Sequence, residues 1–227
     1  MPLVTAAGLA LITLAAWAAL IAGTPMSDAP TFIAAWVVMM VAMMLPSSAP
    51  MFLLYRVSTG DGPRGELRTL GFVVGYLLVW AGVGAIVLAA QRVLEAAVAP
   101  ELRPLGVAAV LLAAGLYQFT PLKATCLRAC QTPADFLVRH WRGGALGPIR
   151  LGVDHGLYCL GCCWALMAVL VAAGGMGLAW VALIALIVLV EKLATRTRWI
   201  GGVVGVAFVL GALLVALRPD LVQPMAM

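Results

Sequence analysis

Residues 151–190 of the chain read LGVDHGLYCLGCCWALMAVLVAAGGMGLAWVALIALIVLV, and Asp154 is the one charged residue among them. About 20 apolar residues span the hydrocarbon core of a bilayer, so a single helix of this length would overshoot it. Gly174, Gly175 and Gly177 interrupt the run, and we predict a tight hairpin of two helices that turns there. The segments are predicted to be helices because lipid offers no hydrogen-bonding partner to the edge of an open sheet.

The same apolar character extends over the whole chain of 227 residues, of which 64% are hydrophobic and 10% charged. A soluble domain carries about a quarter charged residues, so this composition excludes a soluble protein. The sequence therefore predicts an all-α fold, a polytopic transmembrane bundle of about seven helices, or six, forming a single integral membrane domain over residues 1–227. The first segment is predicted to be a membrane span and not a cleaved signal peptide, because it lacks a basic start. The predicted spans are residues 3–23, 31–54, 69–90, 105–120, 152–173, 176–191 and 200–217.

The distribution of basic residues predicts the orientation in the bacterial cytoplasmic membrane. Lysine and arginine accumulate on the cytoplasmic side of membrane proteins. With seven spans and a cytoplasmic N-terminus, eleven of the 14 basic residues lie inside and the C-terminus lies outside. A cytoplasmic loop is predicted at about 121–150, with a short helix starting near Thr132. The net charge of +5 then reflects membrane orientation, and no nucleic-acid partner is expected. The eleven are Arg56, Arg64, Arg68, Lys123, Arg128, Arg139, Arg142, Arg150, Lys192, Arg196 and Arg198.

A column of metal-binding residue types follows from helical spacing in the fifth predicted span. His155, Cys159 and Cys162 share one face because positions three or four apart align on a helix; Cys163 lies at its edge and Met167 one turn beyond. Soft sulfur ligands suit Cu(I), zinc or iron–sulfur clusters, and imidazole suits zinc and copper. The alternative is that these cysteines only pack, since free cysteine behaves as a small apolar residue.

A methionine ladder in the second predicted span adds soft ligands. Met39 pairs with Met43, and Met40 with Met44, at a spacing of four residues. Thioethers suit Cu(I), so the ladder is consistent with copper in a dry helix. The alternative is that these methionines fill gaps in an apolar core.

Two further features concern the predicted loop and its junction with the fifth span. Cys126 and Cys130 would share a face if their segment is helical, and Arg128 and Lys123 nearby would favour the thiolate form. They are interpreted as a metal-handling pair or as a structural pair. Asp154 either accepts a hydrogen bond from His155 or caps the start of the helix.

Several strings of the chain together resemble an uncharacterised bacterial family, a domain of unknown function described as predicted metal-binding integral membrane proteins. The resemblance implies a metal-binding role, with copper often suggested. The strings are Trp36-x2-Met39-Met40-x2-Met43-Met44-x-Pro46, Gly75-Tyr76-Leu77-x2-Trp80, Ala114-Gly115-x-Tyr117-Gln118-x2-Pro121-Leu122-Lys123-x2-Cys126-Leu127-x2-Cys130, His155-Gly156-x2-Cys159-x-Gly161-Cys162-Cys163-Trp164-x-Leu166-Met167 and Glu191-Lys192.

The sequence thus favours a membrane protein that binds a soft metal ion, with Cu(I) preferred and zinc as the alternative. It would act in copper handling as a chaperone, an uptake component or an insertion factor. Its expected partners are the lipid bilayer and a copper enzyme or soluble metallochaperone. No catalytic residues are assigned, and an enzyme is not expected. Two other hypotheses stay open: a membrane thiol–disulfide carrier, and a non-catalytic assembly subunit whose sulfurs only pack.

Overall fold

The computed structural model of the protein describes residues 2–23, 28–172, 177–194 and 198–221. These residues contain helices and no strand, which confirms the predicted all-α class. The predicted hairpin turn at Gly174 and Gly175 lies outside the described residues. The helices are α1 Pro2–Ala22, α2 Ala29–Ser58, α3 Pro63–Ala97, α4 Arg103–Tyr117, α5 Pro121–Gln131, α6 Pro133–His140, α7 Gly147–Ala172, α8 Leu178–Leu193 and α9 Arg198–Leu217.

Each of the seven predicted spans coincides with a helix, but the helices differ in length. By length and composition, α1, α2, α3, α7 and α9 can each cross a membrane. The helices α4 and α5 meet at a bend of 66° and together would make a sixth span. Helix α8 has 16 residues, which is shorter than the roughly 20 of an ordinary span. Among the described residues, helix length therefore supports five spans, or six, the alternative predicted from the sequence.

The segment predicted as a loop at 121–150 is mostly helical. It contains α5, α6 and the first turn of α7. Helix α6 begins directly after Thr132, as predicted. Helix α5 escaped prediction because Lys123 and Arg128 lower the hydropathy of its 11 residues below that of a membrane span.

The chain divides into two compact units. The first unit comprises Met1–Ala89 and Arg128–Leu160, and the second comprises Ala90–Leu127 and Gly161–Met227. The first unit is built around α2. The indole Nε1 of Trp17 on α1 donates to the Ala42 carbonyl at 3.1 Å, and that of Trp36 donates to the Trp80 carbonyl on α3 at 3.1 Å. Helix α2 thereby contacts α1 through a half-buried hydrogen bond and α3 through a buried one, in addition to apolar contacts.

The start of α2 is fixed by a capping box. The Asp28 side chain accepts from the Thr31 amide at 2.9 Å, and the Asp28 amide donates to the Thr31 hydroxyl. The hydrogen bond from the Thr31 hydroxyl is the main cause that lowers the pKa of Asp28 below its ordinary value. The box satisfies amides that the first turn of a helix leaves without partners.

Glycines let the backbones of α3 and α7 touch within the first unit. A Cβ on Gly75 would collide with the carbonyl oxygen of Ile149, and one on Gly152 would collide with that of Phe72. Gly71, four residues before Gly75, lies on the same face of α3, where a Cβ would be 3.3 Å from the side chain of Pro148. The contact brings the side chain of Tyr76 alongside α7.

The second unit pairs α4 with α9 in the same manner. A Cβ on Gly115 would lie 2.8 Å from the carbonyl oxygen of Gly205, and one on Gly205 would lie 2.7 Å from the ring of Phe119. The Gly201-x3-Gly205 spacing therefore also marks a close helix contact. Ala114 of α4 packs there with Ala165 and Val169 of α7 in a buried apolar cluster.

Candidate metal centre

Three buried thiols lie together on α7. The sulfurs of Cys159, Cys162 and Cys163 are all within 4.8 Å of one another. Helical spacing produces the cluster, because residues three and four positions apart stack over one another. Among the residues that the structure describes, this is the one group of three or more histidine, cysteine or carboxylate donors close enough to share a metal ion.

The spacing and chemistry of these thiols suit a soft metal ion. A metal–sulfur bond is about 2.3 Å long, so two sulfurs on one ion lie at most about 4.6 Å apart. The upper bound of 4.8 Å on the distances between the three sulfurs is close to that limit. None of these three cysteines forms a disulfide, and thiols are the ligands that select Cu(I) or zinc over harder ions.

His155 lies one turn before Cys159 and is buried in an aromatic cage. It does not belong to the group of three mutually close donors, so its role as a ligand stays a prediction. Four rings from α2, α3 and α6 surround its imidazole at centroid distances of 5.4 to 6.3 Å and exclude water from it. The rings are Phe52, Phe72, Tyr76 and Phe136.

Tyr76 joins the cage to the thiol cluster, and sequence reasoning assigned it no role. Its hydroxyl lies 3.1 Å from the sulfur of Cys159 and 3.2 Å from the hydroxyl of Ser48. Its ring stacks on the His155 imidazole, with an interplanar angle of 25°. The signal was present in the sequence, since Phe72, Tyr76 and Trp80 recur every four residues and so share one face of α3.

The predicted methionine ligands are buried but are not brought into the thiol group by any described contact. Four methionine side chains of α2 are at most 1% exposed. They are Met39, Met40, Met43 and Met44. Met167 is buried on α7, one turn beyond Cys163. These five methionines therefore stay predictions as ligands.

Cys126 approaches α7 within the second unit, at Gly161. Its sulfur lies 2.5 Å from the position that a Cβ of Gly161 would occupy. The hydroxyl of Tyr117 donates to the Gly161 carbonyl at 2.5 Å and so holds α4 at the same point. Since Cys162 follows directly, Cys126 is placed beside the thiol-bearing segment. Cys130 lies one turn later on α5 and is half-buried.

The Lys123 ammonium forms hydrogen bonds with residues other than Cys126. Its ammonium lies 2.8 Å from both carboxylate oxygens of Glu191 and also donates to the Gln118 side-chain oxygen. Lys123 and Glu191 are both buried. The expected help of Lys123 in forming a thiolate is therefore offset, because its charge is neutralised by Glu191.

Asp154 does not cap α7. The helix begins at Gly147, two turns earlier, so the capping prediction is wrong. The Asp154 carboxylate instead accepts hydrogen bonds from Arg142 at 3.0 Å. The capping prediction failed because the apolar pattern starts at residue 152, whereas α7 also includes the polar turn before it.

The helical chain thus contains a buried group of three thiols whose spacing is compatible with a soft metal ion. The model of the family described as "PpoB2: Copper chaperone" matches residues 33–215, which is more than half of the chain. The protein therefore belongs to this copper chaperone family. Comparison with curated proteins gives no match, and comparison with solved structures gives none. The resemblance seen in the sequence is thus confirmed as far as a copper-related family, and the matched range includes every predicted ligand.

Proposed function

We propose that the protein is a membrane-embedded copper chaperone that carries Cu(I) as its cargo. The observation that carries the proposal is the group of three buried thiols within 4.8 Å on α7, in a chain of the copper chaperone family. Each thiol that binds releases its proton, and the metal charge compensates the thiolate charge inside the protein. Two or three sulfurs of this cluster would hold the ion.

Further ligands are proposed on either side of the cluster along α7. His155 lies one turn towards the start of the helix, and Met167 lies one turn towards its end. The methionines of α2 belong to the same unit as His155 and Cys159 and offer thioethers that bind Cu(I) without losing a proton. Zinc is the alternative cargo, since thiolate and imidazole bind it as well.

Cys126 is proposed to exchange the ion with the cluster. Its sulfur contacts Gly161, the residue directly before Cys162, and this neighbourhood supports a ligand replacement between the two thiols. Cys130, on the next turn of α5, would then receive the ion from a soluble metallochaperone or pass it to a copper enzyme. If the incoming thiolate bound before the outgoing one left, the ion would stay coordinated during the exchange.

The protein is proposed to reside in the bacterial cytoplasmic membrane. Five described helices have the required length and apolar composition, and large apolar side chains face outward on them. Examples are Leu11 of α1, Ile86 of α3 and Val203 of α9, each more than half exposed. With the seven spans predicted from the sequence, the basic residues favour a cytoplasmic N-terminus. Retention in the membrane pellet after alkaline carbonate extraction is the expected result, and release into the supernatant would contradict the localisation.

Copper binding is tested on detergent-purified protein under anaerobic conditions. The protein is loaded with Cu(I), and its metal content is measured before and after competition with a Cu(I) chelator. X-ray absorption gives the oxidation state and the number of sulfur ligands. The expected result is stoichiometric Cu(I) on sulfur, lost in a variant that combines Cys159→Ser with Cys162→Ser.

A matched control introduces the same hydroxyl into the same helix without removing sulfur. Ala168→Ser serves, because Ala168 is half-buried on α7 and is no predicted ligand. It should bind copper as the unmodified protein does. A protein that binds no copper but whose thiols titrate with redox potential would instead be a thiol–disulfide carrier. Stoichiometric zinc in place of copper would change the proposed cargo, and the proposed binding site would stay the same.

A further inference from the structure

Tyr76 contacts two predicted copper ligands with two different parts of its side chain. The hydroxyl reaches the Cys159 sulfur at 3.1 Å, and the ring stacks on His155 with centroids 5.5 Å apart. Tyr76 is fully buried, as are both of its partners. A residue that touches both the imidazole and the thiol can set the direction in which each presents its donor atom.

We propose that Tyr76 is the positioning residue of the copper site, orienting Cys159 through its hydroxyl and His155 through its ring. The inference rests on the proposed copper binding and deepens it. Groups that hydrogen-bond to metal ligands fix the orientation of those ligands, and their loss typically weakens metal binding about 10- to 100-fold. A phenol is itself a poor ligand for Cu(I), so Tyr76 acts through its neighbours.

The bound state fixes the direction of the hydrogen bonds. Once Cys159 binds copper as a thiolate it has no proton to donate, so the Tyr76 hydroxyl must donate to the sulfur. That hydroxyl has one proton, and it therefore accepts from the Ser48 hydroxyl at 3.2 Å. Ser48, Tyr76 and Cys159 then form a directed chain from α2 through α3 to the metal ligand on α7. Hydrogen bonds to charged groups are about twice as strong as neutral ones, so copper binding strengthens the chain.

The backbone around Tyr76 is held as firmly as its side chain. A Cβ on Gly152 of α7 would lie 2.9 Å from the amide nitrogen of Tyr76 and 3.0 Å from the Cα of Gly75. The two helices therefore touch without intervening side chains at this position. Such a contact leaves little freedom for Tyr76 to shift relative to His155 and Cys159, which lie on the following turns of α7.

Tyr76→Phe tests the hydroxyl because it keeps the ring that stacks on His155. Anaerobic Cu(I) competition on the full-length protein in detergent should give an unchanged stoichiometry and an affinity about tenfold weaker. Ser48→Ala should weaken binding in the same direction by a smaller factor, since it removes only the outer link. Tyr55→Phe is the matched control: Tyr55 is a buried tyrosine of the same unit that contacts Phe72 and Trp141, and its loss of a hydroxyl should leave the affinity unchanged.

A second genetic background, the Cys159→Ser variant, distinguishes a positioning role of Tyr76 from a general structural effect. In Cys159→Ser protein, which keeps the Cys162 and Cys163 thiols, Tyr76→Phe should cause no further loss of affinity. Equal weakening in both backgrounds, or an unchanged affinity of Tyr76→Phe in the parent protein, overturns the inference while leaving copper binding intact. Absence of copper from the parent protein would instead refute the proposed function. Thermal unfolding of each variant verifies that the fold is retained.

Discussion

The sulfur of Cys126 occupies the space that a side chain on Gly161 would need, with only 2.5 Å between the sulfur and an ideal Cβ position. Real Cβ atoms do not approach a sulfur that closely, so a side chain at position 161 would force Cys126 to shift. The relationship connects a thiol predicted to exchange copper with the residue that directly precedes Cys162. The contribution of this contact to the stability of the protein can be measured without any metal.

We expect Gly161→Ala to destabilise the protein by about 1–3 kcal/mol, because the added methyl overpacks a closely filled site. Removing the sulfur with Cys126→Ala should relieve most of this cost, so the double variant should unfold close to the Cys126→Ala variant. Thermal unfolding in detergent measures all three. Gly106→Ala is the control, since Gly106 on α4 has open space around its Cβ position. Equal destabilisation by Gly161→Ala in both backgrounds would show that Cys126 is not the obstacle.

The contact between α3 and α7 predicts a larger effect at Gly75. A methyl there meets the Ile149 carbonyl, a backbone atom that cannot rotate away, so Gly75→Ala should cost more than the 1–3 kcal/mol typical of overpacking. Displacement of α3 would also move Tyr76, and the Cu(I) affinity should fall with stability. Thermal unfolding and chelator competition follow the two effects.

Gly82→Ala on the same helix is the matched control for Gly75→Ala. Nothing lies within 4 Å of a Cβ on Gly82. The variant should be neutral or more stable by about 0.5–1 kcal/mol, because alanine is the better helix former. If the two alanine variants behave alike, α3 and α7 do not touch through their backbones at Gly75.

The methionine ladder yields a prediction that separates ligands from packing. Met43→Leu preserves volume and should cost less than about 1.5 kcal/mol of stability, while removing a sulfur. If Met43 binds copper, the Cu(I) affinity should fall by at least about tenfold, the effect seen when even an outer residue of a metal site is lost. Met51→Leu, at another buried methionine of α2 that is no predicted ligand, should leave it unchanged. Equal affinities in the two variants would assign Met43 to the core.

Local spacing predicted the parts of the site that lie within one helix. The Cys159, Cys162 and Cys163 cluster follows from a period of 3.6 residues, and the structure brings these sulfurs together as expected. The helices of the fold follow from apolar runs in the same manner. Each of these features depends on residues a few positions apart, where helix geometry alone decides which side chains meet.

The features that the sequence missed depend on contacts between distant residues. Tyr76 and Cys159 are 83 positions apart, and Lys123 and Glu191 are 68 apart. Hydropathy assigned α5 to a loop because it counts Lys123 as a charge in water, whereas Glu191 neutralises that charge inside the second unit. The interpretation of Asp154 as a cap was wrong because hydropathy identifies only the apolar part of a helix and misses a polar turn at its start.

The buried pair of Lys123 and Glu191 predicts a strong dependence of stability on either partner alone. Glu191→Gln leaves the ammonium of Lys123 buried without its counter-charge, which typically costs about 3–5 kcal/mol. Replacing both residues, Lys123→Met with Glu191→Leu, removes both charges and should destabilise less than either single change. Thermal unfolding of the two single variants and the double variant measures this coupling.

An exposed ion pair of the same length provides the comparison. Arg139 donates to Asp135 at 2.8 Å on α6, and this hydrogen bond raises the pKa of Arg139 above its ordinary value. Both side chains are more than half exposed, so water screens the pair and Asp135→Asn should cost less than about 1 kcal/mol. Since the nitrogen–oxygen distance is 2.8 Å in both pairs, burial alone should account for the difference. Similar losses in Glu191→Gln and Asp135→Asn would mean that water reaches the Lys123 ammonium, and the pair would then not be a buried one.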